Sequence, residues 1–479
     1  MAKPVSREAV SSPYKCTESW TADVVVVGAG LAGYCAALEA ASCGTDVIML
    51  EKQPEVGGST VVSTGMMAFA GTSLQKGVGI EDSVELLHRD LMEVGGYVND
   101  ERLVKHYVER QLDTFDWLVR LGVQFRRVEI GAGQSLPRSH VVNPAEMIQV
   151  LEMQRRLSKR VRLVTEARVF KLLHDPKDDC VVGVLAEREG KVLEVRSRGG
   201  VVLACGGFTR NDDLIRLFAP SQVAALRFGG AGNTGDGLRM AWALGADLRD
   251  LGYIRGTFGF HPMAPPERHV MLLAIYKGAI LVNQDGRRFV NESLNYKVLG
   301  DACLTQPFGM AYQIFDQRVF DRSVPGDELY DFPRRLSQGF LIKAETIEEL
   351  AHRIEVPRNI LLQTVAEYNQ CVQMGYDRYF GREHLVHNFG TLVKIERPPF
   401  YAFPSTSGLV ATYGGVRVDE EMGVINVYGE RIEGLFAAGE ICGGFHGAGY
   451  MTGTALGKAA IFGRTAGRSA AMRAIEAGS

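Results

Sequence analysis

The stretch VVVVGAGLAG, residues 24–33, decides the fold. Four consecutive valines suit a buried strand, and the run from Leu31 to Ala41 that follows has helical spacing. Between them Gly28 permits a tight turn, Gly30 lets a pyrophosphate approach the backbone, and Gly33 lets helix and strand pack closely. Free amides and the positive helix end then face an anion, with Ala29, Leu31 and Ala32 completing the cradle. A second strand over residues 46–50 ends at Glu51, followed by Lys52. Glu51 stands eighteen residues beyond Gly33, where an acid can bond ribose hydroxyls and disfavours a 2′-phosphate. A merely structural turn would leave Glu51 unexplained. This half predicts dinucleotide binding but does not separate FAD from NAD, which share the adenosine diphosphate end.

The other end of the chain separates them. Residues 434–438, GLFAA, read as a short apolar strand that runs into Gly439 and Glu440, then a glycine-rich loop and a helix predicted over 455–471. A carboxylate at Glu440 suits ribityl hydroxyls, and the loop allows a flat ring to lie against backbone. The helix start, with Gly453, Ala455 and Leu456, can stabilise the negative charge of a reduced flavin. The loop carries few polar solvating residues, unlike a flexible surface loop. The two ends together predict FAD. Residues 57–60, GGST, open a small-residue segment reaching Gly71, a further approach to the cofactor through Gly58, Ser59, Thr60 and Gly65. Ala204, Gly206 and Asp236 are assigned to the same site.

At 479 residues the chain is too long for one ordinary core, so two domains are expected. A net charge of −3 argues against nucleic-acid or anionic-membrane surfaces. The eight cysteines form no CxxC pair and read as small buried hydrophobes in a reducing compartment, the cytoplasm. The ten histidines do not cluster with cysteines or carboxylates at ligand spacings, so no metal is expected. The first twenty residues are polar and read as no signal segment, and no apolar run reaches the roughly twenty residues that span a bilayer.

Helical periodicity is predicted over 83–121 and 144–157, with a hairpin at 181–187 and 192–196, then a strand at 200–204. A β-meander of this kind commonly interrupts flavin-binding Rossmann domains. Past the loop and helix of residues 232–248, composition turns Pro- and aromatic-rich near 261–266. The predicted fold class is α/β: a split Rossmann-type FAD-binding domain, residues 1–250 and 413–479, with an inserted α+β capping domain, residues 251–412. The return passes through a hairpin over 416–427.

The ordered motifs GAGLAG (28–33), GGST (57–60), ACGGF (204–208), TGDG (234–237), GRRFVNE (286–292) and AAGE (437–440) resemble the fumarate reductase and succinate dehydrogenase flavoprotein family, and within it the 3-ketosteroid dehydrogenases. The resemblance covers nearly the whole chain and implies a split FAD domain with a cap over the flavin. The departures bear on substrate. Where fumarate reductases place a proton-delivering arginine after NE, NESLNYK carries Tyr296; where they hold substrate carboxylates, this chain has Tyr450 in HGAGY and Val410-Ala411 before TYGG. Burying carboxylates without paired cations costs several kcal/mol each, so a neutral substrate is expected. Tyr450, Met451, Thr452 and Gly453 are similar to the ketosteroid dehydrogenases acting at the 4,5 bond, which have serine where Thr452 stands. The family's flavin-linking histidine is absent from residues 57–65, implying noncovalent FAD.

Desaturation beside a ketone removes an α proton and transfers a β hydride. The expected roles are Tyr450 O–H, with a backbone amide near Gly453, on the 3-keto oxygen; Tyr296 on the α proton; and Thr452 as hydrogen-bond relay. A donor of this kind is worth ~2.7–4 kcal/mol in the transition state. Holding a tyrosine as phenolate at pH 7 costs about 4 kcal/mol from a pKa near 10, so neighbours must lower that cost. His446 is expected to fix its loop or contact flavin, His261 is given no role, and Arg287 and Arg288 are read as structural or solvent-facing. The competing expectations are a reductase of another neutral or monoacidic enone or enoate, a respiratory flavoprotein subunit, disfavoured by a chain ending at Ser479, and a binding flavoprotein. The electron acceptor and the oligomeric state are not written in the sequence.

Overall fold

The computed structural model describes residues 16–264, 270–386 and 390–478. Residues 1–15, Pro265, Pro266 and Ser479, on which parts of the sequence reading fall, lie outside the described residues.

The valine run forms the strand Val24–Val27, wholly buried, at the centre of a ten-stranded sheet. Its parallel neighbours are Val47–Leu50 on one side and Val201–Leu203 on the other; Val161–Val164 and Arg431–Ala437 extend the parallel core outward. A strand buried on both faces needs a continuous apolar run, which these short segments supply. The predicted hairpin is present as Cys180–Arg188 paired antiparallel with Lys191–Ser197, and Arg168–Asp175 and Glu18–Ala22 flank it. The helical stretch expected over 83–121 is two helices, Val84–Val94 and Glu101–Leu121, separated where Gly95 and Gly96 end the first and Asp100 caps the second.

Two helices press together over the sheet. Leu31–Ser42 packs along Thr454–Gly478, longer than the predicted 455–471. The contact depends on missing side chains: a Cβ on Gly463 would sit 2.5 Å from the Ala32 carbonyl oxygen, and one on Gly467 2.1 Å from that of Ala36. This packing aims both helix starts at the same space.

The second sheet has six strands arranged around Phe400–Leu409, which pairs with Met310–Asp316, Thr257–Phe260, Ile342–Ala344 and Leu226–Arg227. Two apolar clusters on this sheet, drawn from residues 258–403, are separate from the large cluster of the first sheet. Its long central strand carries the chain back to Val410 and Ala411, at the junction of the two sheets.

Candidate active site

A cavity of about 640 Å3 opens between the sheets. One end is backbone. The turn at Gly28 holds φ at +108°, where an added Cβ would lie 2.4 Å from the Ala204 carbonyl oxygen. Gly30 is open: a Cβ there would meet nothing closer than 3.8 Å. The N-cap of the Leu31–Ser42 helix is Gly30, which has no side chain to cap it; the Leu31 amide donates to Thr60 Oγ1 at 3.1 Å, and the positive helix end faces the cavity. Glu51 is buried and accepts hydrogen bonds from the amides of Ala29 at 2.8 Å and Gln53 at 2.9 Å. Those bonds fix its carboxylate at the cavity edge, with remaining lone pairs for a ligand hydroxyl.

Lys52 donates to Asp236 at 2.9 Å and to Thr234 Oγ1 at 2.5 Å. Burial opposes the charge on Asp236, but Lys52 and Arg168 outweigh it and hold the carboxyl below its usual range. Glu440 bonds Asn233 Nδ2 at 2.8 Å and the Thr412 amide at 2.8 Å, so it ties three loops together beside the cavity. Burial pushes its pKa up, against the pull of those donors.

The other end is phenolic. The helix Tyr296–Leu304 brings Tyr296 to within 3.2 Å, oxygen to oxygen, of Thr452 Oγ1. Thr452 Oγ1 also accepts from the Ala132 amide at 3.1 Å. Tyr450 stacks on Tyr413 with centroids 4.6 Å apart and 16° between planes. Burial raises the Tyr296 phenol above its ordinary range, with Thr452 pulling the other way. Tyr450 is pushed up to about 12 by burial, against the backbone amides of Ala455 and Gly453. Both are therefore neutral donors at rest.

His446 stands 4.7 Å, centroid to centroid, from Tyr413, and its buried Nε2 has no hydrogen-bond partner among the described residues. Burial drives its pKa well down, and Lys458 and Lys297 add repulsion. Its loop is fixed by Asp250, which accepts from the amides of Gly444 at 2.9 Å and Gly447 at 3.2 Å. Phe260, Met271, Leu273, Val410 and Ala411 complete this end, and no described arginine lines the cavity.

Of the residues expected at the site, Gly28, Gly30, Leu31, Ala32, Glu51, Lys52, Gly58, Ser59, Thr60, Ala204, Gly206, Asp236, Glu440, Gly453, Ala455 and Leu456 line the cavity, as do Tyr296, Tyr450 and Thr452. Four do not: Ala29, Gly33, Gly65 and Gly439. Gly33 serves packing, since a Cβ would fall 1.9 Å from the Gly28 carbonyl oxygen. Gly65 is held against Val142, whose amide donates to its carbonyl at 2.8 Å. Gly439 crosses Ala32 too closely for a side chain, and Ala29 contributes its amide to Glu51.

His261 lies among Phe340 and Phe403 rather than on the cavity. Arg288 is buried, bonded to Glu292 and Asp377, and flanked by Tyr368 and Phe380; Arg287 is exposed. The Arg288–Glu292 pair anchors the turn that leads into Tyr296. The sequence reading missed Thr257, Tyr413 and Lys297, because only the fold brings Tyr413 and Lys297 to Tyr450 and Thr257 to Lys297; the NESLNYK stretch that holds Lys297 pointed to Tyr296 alone.

A helix start with a glycine N-cap, an open glycine turn, an orphaned imidazole nitrogen and a phenolic wall around one cavity fit a dinucleotide with a flat redox ring, and so define a flavin-dependent oxidoreductase site. The chain belongs to the FAD binding domain family, which matches residues 23–456, and within it to the homologues of the fumarate reductase/succinate dehydrogenase flavoproteins. It is similar to the fumarate reductase (cytochrome) of Shewanella frigidimarina, 34% identical over 458 residues that cover 94% of this chain and 77% of that protein. Among solved structures it is similar to the open conformation of a flavocytochrome c3 fumarate reductase, with a TM-score of 0.83 and 31% identity over 96% of this chain and 79% of that one. It is also similar to the 3-ketosteroid-Δ4-(5α)-dehydrogenase of Rhodococcus jostii in complex with 4-androstene-3,17-dione, with a TM-score of 0.77 and 29% identity over 97% and 99% of the two chains. The protein is a FAD-dependent oxidoreductase acting on carbon–carbon bonds. No described helix is long and apolar enough to cross a membrane.

Proposed function

We propose that the protein desaturates a 3-ketosteroid next to its 3-keto group, with the 4,5 bond favoured. The observation that supports this most is the Tyr296–Thr452 pair beside Tyr450, in a cavity end with apolar walls and no described arginine. A dicarboxylate there would lose hydration without gaining a guanidinium, whereas a neutral ring ketone needs one or two hydrogen-bond donors and apolar walls. The relative solved with 4-androstene-3,17-dione supports the same substrate class.

When bound, FAD supplies the hydride acceptor for the substrate's β carbon. Gly30 and the start of the Leu31–Ser42 helix hold its phosphates, Glu51 its ribose, and the 57–60 segment and the start of Thr454–Gly478 the ring end. Residues 57–65 contain no histidine, in keeping with a noncovalent cofactor. Residues 251–412 act as the cap. Tyr450 donates its O–H to the 3-keto oxygen, with the Gly453 amide beside it. Tyr296 first passes its own phenolic proton through the Thr452 hydroxyl to water and then, as phenolate, takes the α proton; Thr452 holds the oxygen in place and stabilises it as it changes charge. Cysteines without disulfides suit the cytoplasm.

The anaerobic addition of a 3-keto-5α-steroid should bleach the yellow flavin, and the product should carry 4,5 rather than 1,2 unsaturation. If every 3-ketosteroid leaves the flavin oxidised while an enoate reoxidises the reduced enzyme, the second reading holds: a reductase of another neutral or monoacidic enone or enoate. Similarity to a fumarate reductase favours that alternative.

A further inference from the structure

Behind the phenolic wall lies a cation with no role in the reaction so far. Lys297 is the second residue of the Tyr296–Leu304 helix and is 5% exposed. Its Nζ donates to Thr257 Oγ1, on the cavity wall, at 2.7 Å and to the Arg255 carbonyl at 3.3 Å. The same nitrogen is 4.9 Å from the ring centroid of Tyr413, 5.7 Å from that of Tyr450 and 5.8 Å from that of Tyr296. Asp301, one turn along the helix, is paired with Arg255 at 3.2 Å. A lysine kept only for packing would extend its amine to solvent; this one holds it against three phenol rings.

We propose that Lys297 is a positioning residue for the carbonyl-binding hydroxyl: its ammonium, set against the stacked Tyr413 and Tyr450 rings, makes the Tyr450 O–H a stronger donor to an oxygen that becomes negative during the reaction. The inference rests on the role given to Tyr450 above and adds what tunes it. A nearby positive charge favours the ionised form of a phenol, and so strengthens its hydrogen bond to a developing oxyanion. In a site screened from water that influence carries over several ångströms. The carbonyl oxygen gains charge whether the ring is desaturated or an enone is reduced, so the role does not depend on direction.

Burial lowers the Lys297 pKa to about 7, with Asp301 pulling it back. The amine is thus charged below neutral pH and uncharged above. The groups facing it are Tyr296, Tyr413 and Tyr450, then His446, whose protonation the ammonium disfavours, with Asp301 and Arg255 at the rim.

The test is the affinity of p-chlorophenol, a mimic of the oxyanion, for oxidised holoenzyme, read from the flavin absorbance across neutral pH. Below pH 7, wild type and Lys297→Arg should bind roughly tenfold more tightly than Lys297→Met, the scale of a desolvated charge–ring contact. The wild-type advantage should vanish as pH rises through about 7 and persist to higher pH in Lys297→Arg. With a ketone that turns over, Lys297→Met should lower kcat while leaving KM near wild type. Equal affinities in wild type and Lys297→Met, or a pH break that survives in Lys297→Met, overturn the proposal. If the methionine variant does not fold, a break left in place in Lys297→Arg overturns it equally. The phenol readout needs no steroid: a wild-type enzyme without the pH break sinks the role of Lys297, whereas absence of flavin bleaching by 3-ketosteroids sinks only the substrate.

Discussion

The two ends of the cavity are built by opposite means. The cradle end is mostly backbone: Gly28, Gly30 and Leu31 follow one another in the chain, and Glu51 is fixed by the amide of Ala29 in the same motif. The phenolic end is side chain: Thr257, Tyr296, Tyr413 and Tyr450 come from four separate segments and meet only because the Phe400–Leu409 strand and the Tyr296–Leu304 helix converge on one corner. Phosphates can be held by a local turn, but a reaction that places a proton, a carbonyl and a hydride needs groups aimed from several directions. Substitutions should therefore damage the cradle by breaking backbone packing and the far wall by deleting single atoms.

The largest effect belongs to the cradle. In Gly33→Val the added atoms collide with the Gly28 carbonyl oxygen, already 1.9 Å from an ideal Cβ. Stability should fall by more than about 3 kcal/mol, because neither strand nor helix can withdraw. Protein that is recovered should be colourless, read as a lost flavin-to-protein absorbance ratio. A yellow, stable Gly33→Val would show the turn to be more yielding than this packing allows.

Tyr450→Phe comes next and should spare flavin content. Removing one donor aimed at a developing oxyanion lowers kcat by roughly 10²–10³-fold, and Tyr296→Phe should lower it by roughly 10²–10⁴-fold as a lost proton acceptor. If Tyr450→Phe sheds its flavin instead, the two ends are not separable in function.

The same contrast explains what could be read in the chain. Glycines required by a turn sit at fixed spacing, so the strand Val24–Val27, its turn, the helix and Glu51 were legible. Gly33 was legible as a packing glycine, yet its place in the site was not, since a pattern does not say which glycine touches ligand and which touches helix. Tyr296, Tyr450 and Thr452 were visible only through the motifs around them, and Tyr413 and Lys297, though inside the TYGG and NESLNYK stretches, were given no role by them. The burial of Arg288 between Tyr368 and Phe380 depends on a helix some eighty residues later, which no local spacing announces.

Thr452→Val is a smaller perturbation of the wall. It keeps the shape but removes the partner of Tyr296 at 3.2 Å and leaves the Ala132 amide without its 3.1 Å acceptor. Turnover should drop about tenfold and stability by about 1–3 kcal/mol, the cost of a buried unpaired donor. Thr452→Ser, which retains the hydroxyl, should restore most of both. A valine variant with wild-type turnover would remove Thr452 from the proton's path.

The smallest effect compares the two lysines of the site. Lys52 in the cradle is paired with Asp236 at 2.9 Å, whereas Lys297 faces rings and hydroxyls. In the unfolded chain the Lys297 amine titrates near 10.5, and in the folded protein at about 7. Between those values the unfolded chain binds more protons, so this group makes the fold more stable as pH rises, by up to about 1.4 kcal/mol per unit. The contribution is fully present above 10.5 and is lost as pH falls through about 7. The difference in unfolding free energy between wild-type holoenzyme and Lys297→Met should therefore grow in favour of wild type from neutral to alkaline pH. A flat difference would mean that the amine is already solvated in the folded state. An upward slope would mean that the fold tolerates a half-charged lysine where a fully charged one costs most, and that the phenolic wall keeps near neutrality a charge that the cradle neutralises with a carboxylate.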